Sequence, residues 1–113
     1  MMEPVSWDGL RQNCGNDESL VQEVLELFRT EAEGLVRDVE TAVAAKDALA
    51  IKRSAHRLKG ALVSLAAGPT TECARALELC GAGGKLDQAP ALFAKLQQEM
   101  SRLMHTLSVP QAA

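Results

Sequence analysis

The chain has 113 residues and a formal net charge of −3, with 47% hydrophobic and 24% charged residues, as in one ordinary globular domain. The acidic balance argues against nucleic acid as a partner, and no apolar run approaches the ~20 residues of a membrane span. The amino terminus, Met1 to Pro4, lacks the basic and apolar regions of a secretory signal, which makes the cytoplasm the expected location.

A short helix and a turn are predicted over residues 1–16. Trp7 and Leu10 form a small apolar cluster there, before a turn composition. A long helix is then predicted from about Glu18 to Ala45, with Asp17 as its N-cap. Its apolar positions recur at helical spacing and form one stripe: Val21, Val24, Leu25, Phe28, Ala32, Leu35, Val39 and Ala42.

Leu20 and Leu27 lie outside the apolar stripe of this long helix. One interpretation is that Trp7 and Leu10 of the short first helix cover them. The other is that part of this surface stays open, beside His56, for a partner, so that Leu27 belongs to a docking surface. The sequence leaves both interpretations open.

Two further helices are predicted in the middle of the chain. The first runs from about Ala48 to Leu65, with Asp47 as its N-cap. Gly68 suits a left-handed cap after this helix, and Pro69 suits the first position of the next one. The glycine-rich segment 81–84 is expected to break the chain again.

The last helix is predicted to follow Asp87, its expected N-cap. Its apolar stripe is regular: Leu92, Leu96, Met100, Leu103 and Leu107, with Phe93 beside it. Pro110 cannot continue a helix, so residues 109–113 are expected to be a tail. The fold class is therefore predicted as all-α, with one domain over 1–113. We expect an up-and-down antiparallel four-helix bundle over 17–108, preceded by the short N-terminal helix.

The three cysteines, Cys14, Cys73 and Cys80, are odd in number and show no paired spacing, so a disulfide framework is not expected. Cys73 and Cys80 lie seven residues apart on one helix face, where we interpret them as small buried hydrophobes. A metal site would require them to converge with His56 or His105, and no spacing indicates that. No metal and no cofactor is predicted.

The most informative stretch of the chain is 54–60, in the helix predicted from Ala48 to Leu65. One apolar stripe of this helix is expected to face the core: Ile51, Ala55, Leu58, Leu62 and Leu65. Another set of residues is expected to lie on the wet side: Lys52, Arg53, His56, Lys59, Gly60 and Val63. A histidine on this cationic side does not serve the core. By itself, however, an exposed histidine is usually only a solvated residue.

The residues around this histidine closely resemble the histidine-containing phosphotransfer (HPt) domain family of bacterial multistep phosphorelays. The resemblance covers nearly the whole chain and lies in these residues: Ala55-His56-x-Leu58-Lys59-Gly60, then Ser64, Ala67, Leu77 and Glu78, with Leu27-Phe28 upstream. It implies that His56 accepts and donates a phosphoryl group, that Lys59 lies near that group, and that Gly60 leaves room for a partner. Ten residues past His56 the family usually has glycine, whereas this chain has Ala66.

Imidazole is suited to this chemistry because its ordinary pKa of about 6.5 leaves a nucleophilic nitrogen near neutral pH. Lys59 can neutralise phosphoryl oxygens, and Lys52 and Arg53 add positive potential. This basic strip on an acidic protein favours an acidic partner surface. The sequence shows no nucleotide-binding loop and no Mg²⁺ carboxylate set near the motif, so we expect a phosphoryl carrier that is not an enzyme.

The resemblance also implies the partner. It is a receiver domain of a response regulator or hybrid sensor kinase, which supplies Mg²⁺ and the phosphoaspartate, with Gly60, Lys52, Arg53, Val63 and Leu27 on the docking surface. The chain itself is expected to be a monomer.

Two alternatives belong to another class. A helical bundle could bind a receiver domain without chemistry, but loss of the histidine would mark that case, and His56 is present. A dimerising kinase bundle also carries a phosphoacceptor histidine, but it needs an attached ATP-binding domain, for which 113 residues leave no room. His105 has no motif around it, and we interpret it as a surface residue.

Overall fold

The computed structural model describes residues 3–108, and in that range the chain is all-α, as predicted. The elements are α1 (Trp7–Asn13), α2 (Glu18–Ala44), α3 (Ala48–Ser64), α4 (Gly68–Gly83), a 3-10 turn (Leu86–Gln88) and α5 (Ala89–Ser108). The ends of α2 and α3 agree with the predicted ones to within one residue. The predicted tail, 109–113, lies outside the described residues. No described helix is long and apolar enough to cross a membrane.

The helices pack in sequence, with α2 against α3, α3 against α4 and α4 against α5. The contact between α3 and α4 is the most extensive, and α2 also contacts α5. The predicted core stripe of α3 is confirmed, because all five of its members are fully buried: Ile51, Ala55, Leu58, Leu62 and Leu65. Burying each large aliphatic side chain contributes about 1.5–3 kcal/mol, so this stripe fixes which side of α3 faces water.

Two predicted helix caps are confirmed. The carboxylate of Asp17 accepts hydrogen bonds from the backbone N–H groups of Ser19 and Leu20 at the start of α2. The carboxylate of Asp47 accepts one from Ala50 at the start of α3. Such caps each contribute about 1 kcal/mol, and the second one fixes the start of the helix that carries His56.

The predicted left-handed cap at Gly68 is wrong. The left-handed residue between α3 and α4 is Ala66, with φ 59°, and Gly68 already belongs to α4, so Pro69 is the second residue of that helix. The chain turns earlier because the N–H of Ala67 bonds to the carbonyl of Leu62 and closes the end of α3. An alanine in this conformation costs about 1–2 kcal/mol, which a glycine there would avoid.

Two details at the other end of α4 differ from the prediction. The break expected over 81–84 falls at the last residue of that segment, because the helix continues through Gly83 and ends at Gly84, which has φ 69°. A helical glycine costs only about 1 kcal/mol, and packing overrides that cost at the buried Gly81. Asp87 does not cap α5, since it lies in the 3-10 turn and α5 begins at Ala89.

The first helix does not cover the two outlying leucines of α2. Leu10 is fully buried in the core, whereas Leu20 and Leu27 are 40% and 58% exposed. This part of α2 therefore stays open to solvent, and the docking role of Leu27 stays a prediction. The interpretation of Cys73 and Cys80 as buried small residues is confirmed as well.

Candidate functional site

His56 lies at the middle of α3, on the side opposite the core stripe, and its side chain is 69% exposed. Lys52 precedes it by one turn and Gly60 follows it by one turn, and both are exposed, as predicted. The ring faces outward because the neighbouring Ala55 is fully buried and sets the rotation of the helix. His56 is thus a solvent-facing imidazole on a rigid helix.

One carboxylate of α4 binds two side chains of α3. Oε2 of Glu78 lies 2.5 Å from Nδ1 of His56, and Oε1 of Glu78 lies 2.6 Å from Nζ of Lys59. The two partners are three residues apart and therefore adjacent on α3. Glu78 reaches both because α3 and α4 form the most extensive helix contact of the described chain.

Lys59 is less exposed than the sequence suggested. We expected a water-facing lysine, but its side chain is only 21% exposed and its ammonium group is held by Glu78. A lysine ammonium has three N–H donors, so the bond to Glu78 leaves two for other acceptors. The cation is fixed beside the imidazole instead of moving freely in solvent.

The carboxylate determines which ring nitrogen of His56 is free. An ionised carboxylate only accepts hydrogen bonds, so the short contact requires the proton on Nδ1. In the neutral ring Nε2 then carries the lone pair. The arrangement therefore presents an unprotonated, nucleophilic Nε2 at the surface.

Glu78 stays ionised near neutral pH. The hydrogen bond from Lys59 is the main cause that lowers the pKa of Glu78 below its ordinary value, and the bond from His56 acts in the same direction. Partial burial raises this pKa, but the two bonds outweigh it. The negative charge needed to hold Nδ1–H is therefore present at physiological pH.

The surroundings of His56 are basic. Lys52, Arg53 and Arg57 line an open pocket with His56 and Glu78. Arg57 pairs with a carboxylate of α2, but Lys52 and Arg53 make no ion pair with any residue in 3–108. Unpaired cations on one side of a histidine favour the approach of an anionic group.

The exposed side of α3 is partly apolar on both sides of the ring. A Cβ built on Gly60 meets no atom within 4 Å, so this position leaves open space next to His56. Val63 is 53% exposed on the same side. Leu49, seven residues before His56, is 52% exposed there too, although the sequence analysis did not select it.

Leu27 is exposed, but the structure does not bring it next to His56. Asp38 of α2 pairs with Arg57 at 3.5 Å, which places that part of α2 beside His56. Leu27 lies eleven residues earlier, about 16 Å along the helix at 1.5 Å per residue. It can only contribute to the outer part of a surface centred on His56.

Glu78 is the functional residue that sequence reasoning missed. It belongs to the string that carries the family resemblance, but no role was given to it. The available signal was its position directly after the buried Leu77, at the edge of a helix face. Which residue of α3 it would meet depends on how the two helices pack, which the spacing within one helix does not reveal.

Residues 23–106, most of the chain, match the model of the Hpt domain. The chain therefore belongs to the Hpt domain family, whose members carry phosphoryl groups on histidine in phosphorelays and interact with receiver domains. Among solved structures, it is similar to the crystal structure of histidine-containing phosphotransfer protein B (HptB) from Pseudomonas aeruginosa PAO1. The TM-score is 0.86 with 23% identity, over 95% of this chain and 93% of that one, which shows a shared fold. No curated protein matches the chain.

Proposed function

We propose that this chain is a histidine phosphotransfer protein that passes a phosphoryl group from the aspartate of one receiver domain to His56 and on to the aspartate of another. One observation carries the proposal. The carboxylate of Glu78 holds Nδ1 of His56 at 2.5 Å, while the ring is 69% exposed. An imidazole fixed in this way presents one nucleophilic nitrogen to a docked partner.

In the forward step the lone pair of Nε2 attacks phosphorus, and a new P–N bond forms. The bond from phosphorus to the aspartyl oxygen breaks, and its electron pair leaves with the carboxylate of the donor. The phosphorylated ring carries an additional positive charge, which the ionised Glu78 stabilises through the Nδ1–H bond. The proton on Nδ1 does not move. Transfer to the next receiver reverses the same bond changes.

Lys59 supports the transfer from one turn away. Its two remaining N–H donors can bind equatorial phosphoryl oxygens, on which charge develops in a loose transition state. Its tether to Glu78, at 2.6 Å, keeps the ammonium group in position before the partner arrives. A pre-positioned charge avoids the cost of reorganisation during the reaction.

The partner docks on the exposed side of α3. Gly60 gives its backbone room, Lys52 and Arg53 attract its acidic pocket, and Val63 supplies apolar contact area. Leu27 extends the surface along α2. The receiver domain brings Mg²⁺ and the phosphoaspartate, and the chain needs no cofactor of its own.

The finer architecture belongs to the same proposal. We place residues 1–113 in one domain, with an up-and-down antiparallel four-helix bundle over 17–108 after the short first helix. The packing of each helix on the next and of α2 on α5 supports this arrangement. The protein acts as a cytoplasmic monomer and a carrier without autokinase activity, so ATP and Mg²⁺ alone should leave it unlabelled.

The test is transfer from a phosphorylated receiver to the wild type, to His56→Gln and to His105→Gln. We expect the wild type and His105→Gln to take up acid-labile, base-stable label, and His56→Gln to take up none. Label on His56→Gln would refute the assigned acceptor. A wild type that binds the receiver but takes no label would show instead that the bundle is a docking module without chemistry.

A further inference from the structure

The two helices that build the site, α3 and α4, come into close backbone contact at Gly81. This buried residue of α4 lies against the first turn of α3. A Cβ at this position would lie 2.6 Å from the backbone nitrogen of Lys52 and 2.7 Å from the carbonyl oxygen of Ala48. Because real Cβ contacts stay above 3.0 Å, any side chain here would push the helices apart by about half an ångström.

Termination of α4 does not explain this glycine. The helix ends three residues later at Gly84, which has the left-handed φ of 69° that a terminating glycine adopts. Gly81 is helical, where glycine costs about 1 kcal/mol relative to alanine. Ala74, two turns earlier on the same side of α4, is fully buried as well. Small residues at this spacing indicate that close approach to α3 is the reason for the glycine.

The close approach bears directly on Glu78. Three residues separate Glu78 from Gly81, about 4.5 Å along the helix axis, so the two move together with α4. The backbone contact at Gly81 thereby sets how far Glu78 stands from His56 and Lys59. Both of its contacts are short, at 2.5 and 2.6 Å.

We infer that Gly81 is a positioning residue for phosphotransfer, because it sets the α3–α4 spacing at which one carboxylate binds both Nδ1 of His56 and Nζ of Lys59. This inference rests on the proposed function. Gly81 touches no reacting atom, and it acts through Glu78. A displacement of about 1 Å in a supporting group can reduce a rate by as much as about 100-fold, so half an ångström is enough to measure.

The variant for the test is Gly81→Ala, and the matched control is Gly83→Ala. Both substitutions add one methyl group to the last turn of α4, but Gly83 is exposed and meets only the side chain of Lys85, at 3.9 Å. The first readout is the pair of ring ¹⁵N chemical shifts of His56, which report the Nδ1–H tautomer. We expect Gly81→Ala to lower the fraction of that tautomer and Gly83→Ala to leave it unchanged.

The second readout is the rate at which a small phosphodonor labels His56. We expect Gly81→Ala to slow it about three- to tenfold, and Gly83→Ala to leave it within a factor of about two. A double-mutant cycle then separates positioning from packing. In a Glu78→Ala background, Gly81→Ala should slow labelling no further, because the contact that it disturbs is already gone.

Two results would overturn the inference. The first is that Gly81→Ala has the same tautomer fraction and labelling rate as the wild type. The second is that Gly81→Ala slows labelling equally with Glu78 present and in the Glu78→Ala background. If Gly81→Ala does not fold, the same comparisons are made with Gly34→Ala added to every variant, since this exposed α2 position offers a stabilising change away from the site. A wild type that takes no label would refute the proposed function, while the ¹⁵N shifts would still test Gly81.

Discussion

The two histidines of this chain lie on exposed helix surfaces, but their surroundings differ. The Nδ1 atom of His56 is held by Glu78, with the ammonium of Lys59 bound to the same carboxylate. His105 lies in the last turn of α5, and its ring makes no hydrogen bond or ion pair with any residue of the described chain. Both histidines are therefore exposed, and the difference between them is the Glu78 carboxylate that holds the ring of His56.

This difference shows what turns an accessible imidazole into a phosphoryl acceptor. A ring without a partner exchanges its proton between both nitrogens, so neither is fixed as the nucleophile. At His56 the tautomer is chosen in advance, and a cation is placed where phosphoryl oxygens will lie. The phosphoryl-accepting site therefore consists of His56 and Lys59 on α3 together with Glu78 on α4.

Removal of the carboxylate should make His56 resemble His105. We expect Glu78→Ala to slow labelling of His56 by a small phosphodonor about 100-fold, from the combined loss of tautomer control and charge stabilisation. The baseline is the rate at which His105 is labelled in His56→Gln. The control is Glu72→Ala, which removes an exposed α4 carboxylate that pairs with Arg75. Equal rates in Glu78→Ala and the wild type would contradict the role of the carboxylate.

Removal of the cation should have a smaller effect. Lys59→Ala is expected to slow phosphotransfer about 30-fold, which corresponds to ~2 kcal/mol for one charged hydrogen bond. Because this lysine is half-buried and ion-paired, its loss should also lower the free energy of unfolding by about 1 kcal/mol. Rates and urea denaturation are compared with Lys95→Ala, an exposed lysine of α5. A wild-type rate in Lys59→Ala would remove the lysine from the mechanism.

Features of the site that lie within one helix could be predicted from the sequence, whereas features that depend on the packing of two helices could not. The side of α3 that carries His56 could be predicted, because Ile51, Ala55 and Leu58 recur with the helical period and bury the opposite side. The contacts of Glu78 and the half-buried state of Lys59 could not be predicted, because they depend on the distance between α3 and α4. That distance is set by a backbone contact at Gly81, which the sequence shows only as a glycine.

The same distinction accounts for the errors at the helix ends. Local propensity predicts a left-handed cap at Gly68 and a break over 81–84, whereas α4 already begins at Gly68 and continues through Gly83. Ala66 adopts the left-handed conformation even though alanine disfavours it. Tertiary packing overrides preferences of about 1 kcal/mol per residue. The family resemblance pointed to position 66 through its usual glycine, which is the residue type that this conformation favours.

A side chain introduced at Gly60 should impair docking of the receiver without impairing the chemistry at His56. Gly60→Gln is expected to slow transfer from a receiver about tenfold, because the new side chain occupies the open surface beside His56. Labelling by a small phosphodonor should continue at the wild-type rate. Stability should rise by about 0.5–1 kcal/mol, since glycine is removed from a helix interior. The control is Gly34→Gln on α2. Wild-type transfer from the receiver would show that the partner approaches from another side.

The smallest expected effect is the pH dependence of the stability that Glu78 contributes. The pKa of Glu78 is lowered on folding, so its contribution to stability is complete above its ordinary pKa, near 4.5, and is lost as pH falls through the lower folded value. We expect the wild type to exceed Glu78→Gln in unfolding free energy at neutral pH by about 1 kcal/mol or less. This difference should shrink as the pH falls below about 4.5. A difference that grows below pH 4.5 in urea denaturation would contradict this linkage.

In the proposed mechanism Glu78 directs phosphorylation to Nε2 of His56. A long-range ¹H–¹⁵N correlation spectrum of the ring-labelled protein, recorded after phosphorylation by a receiver, identifies the phosphorylated nitrogen. We expect one phosphohistidine, at His56, with phosphorus on Nε2 and the proton still on Nδ1. Phosphorus on Nδ1, or on His105, would contradict it.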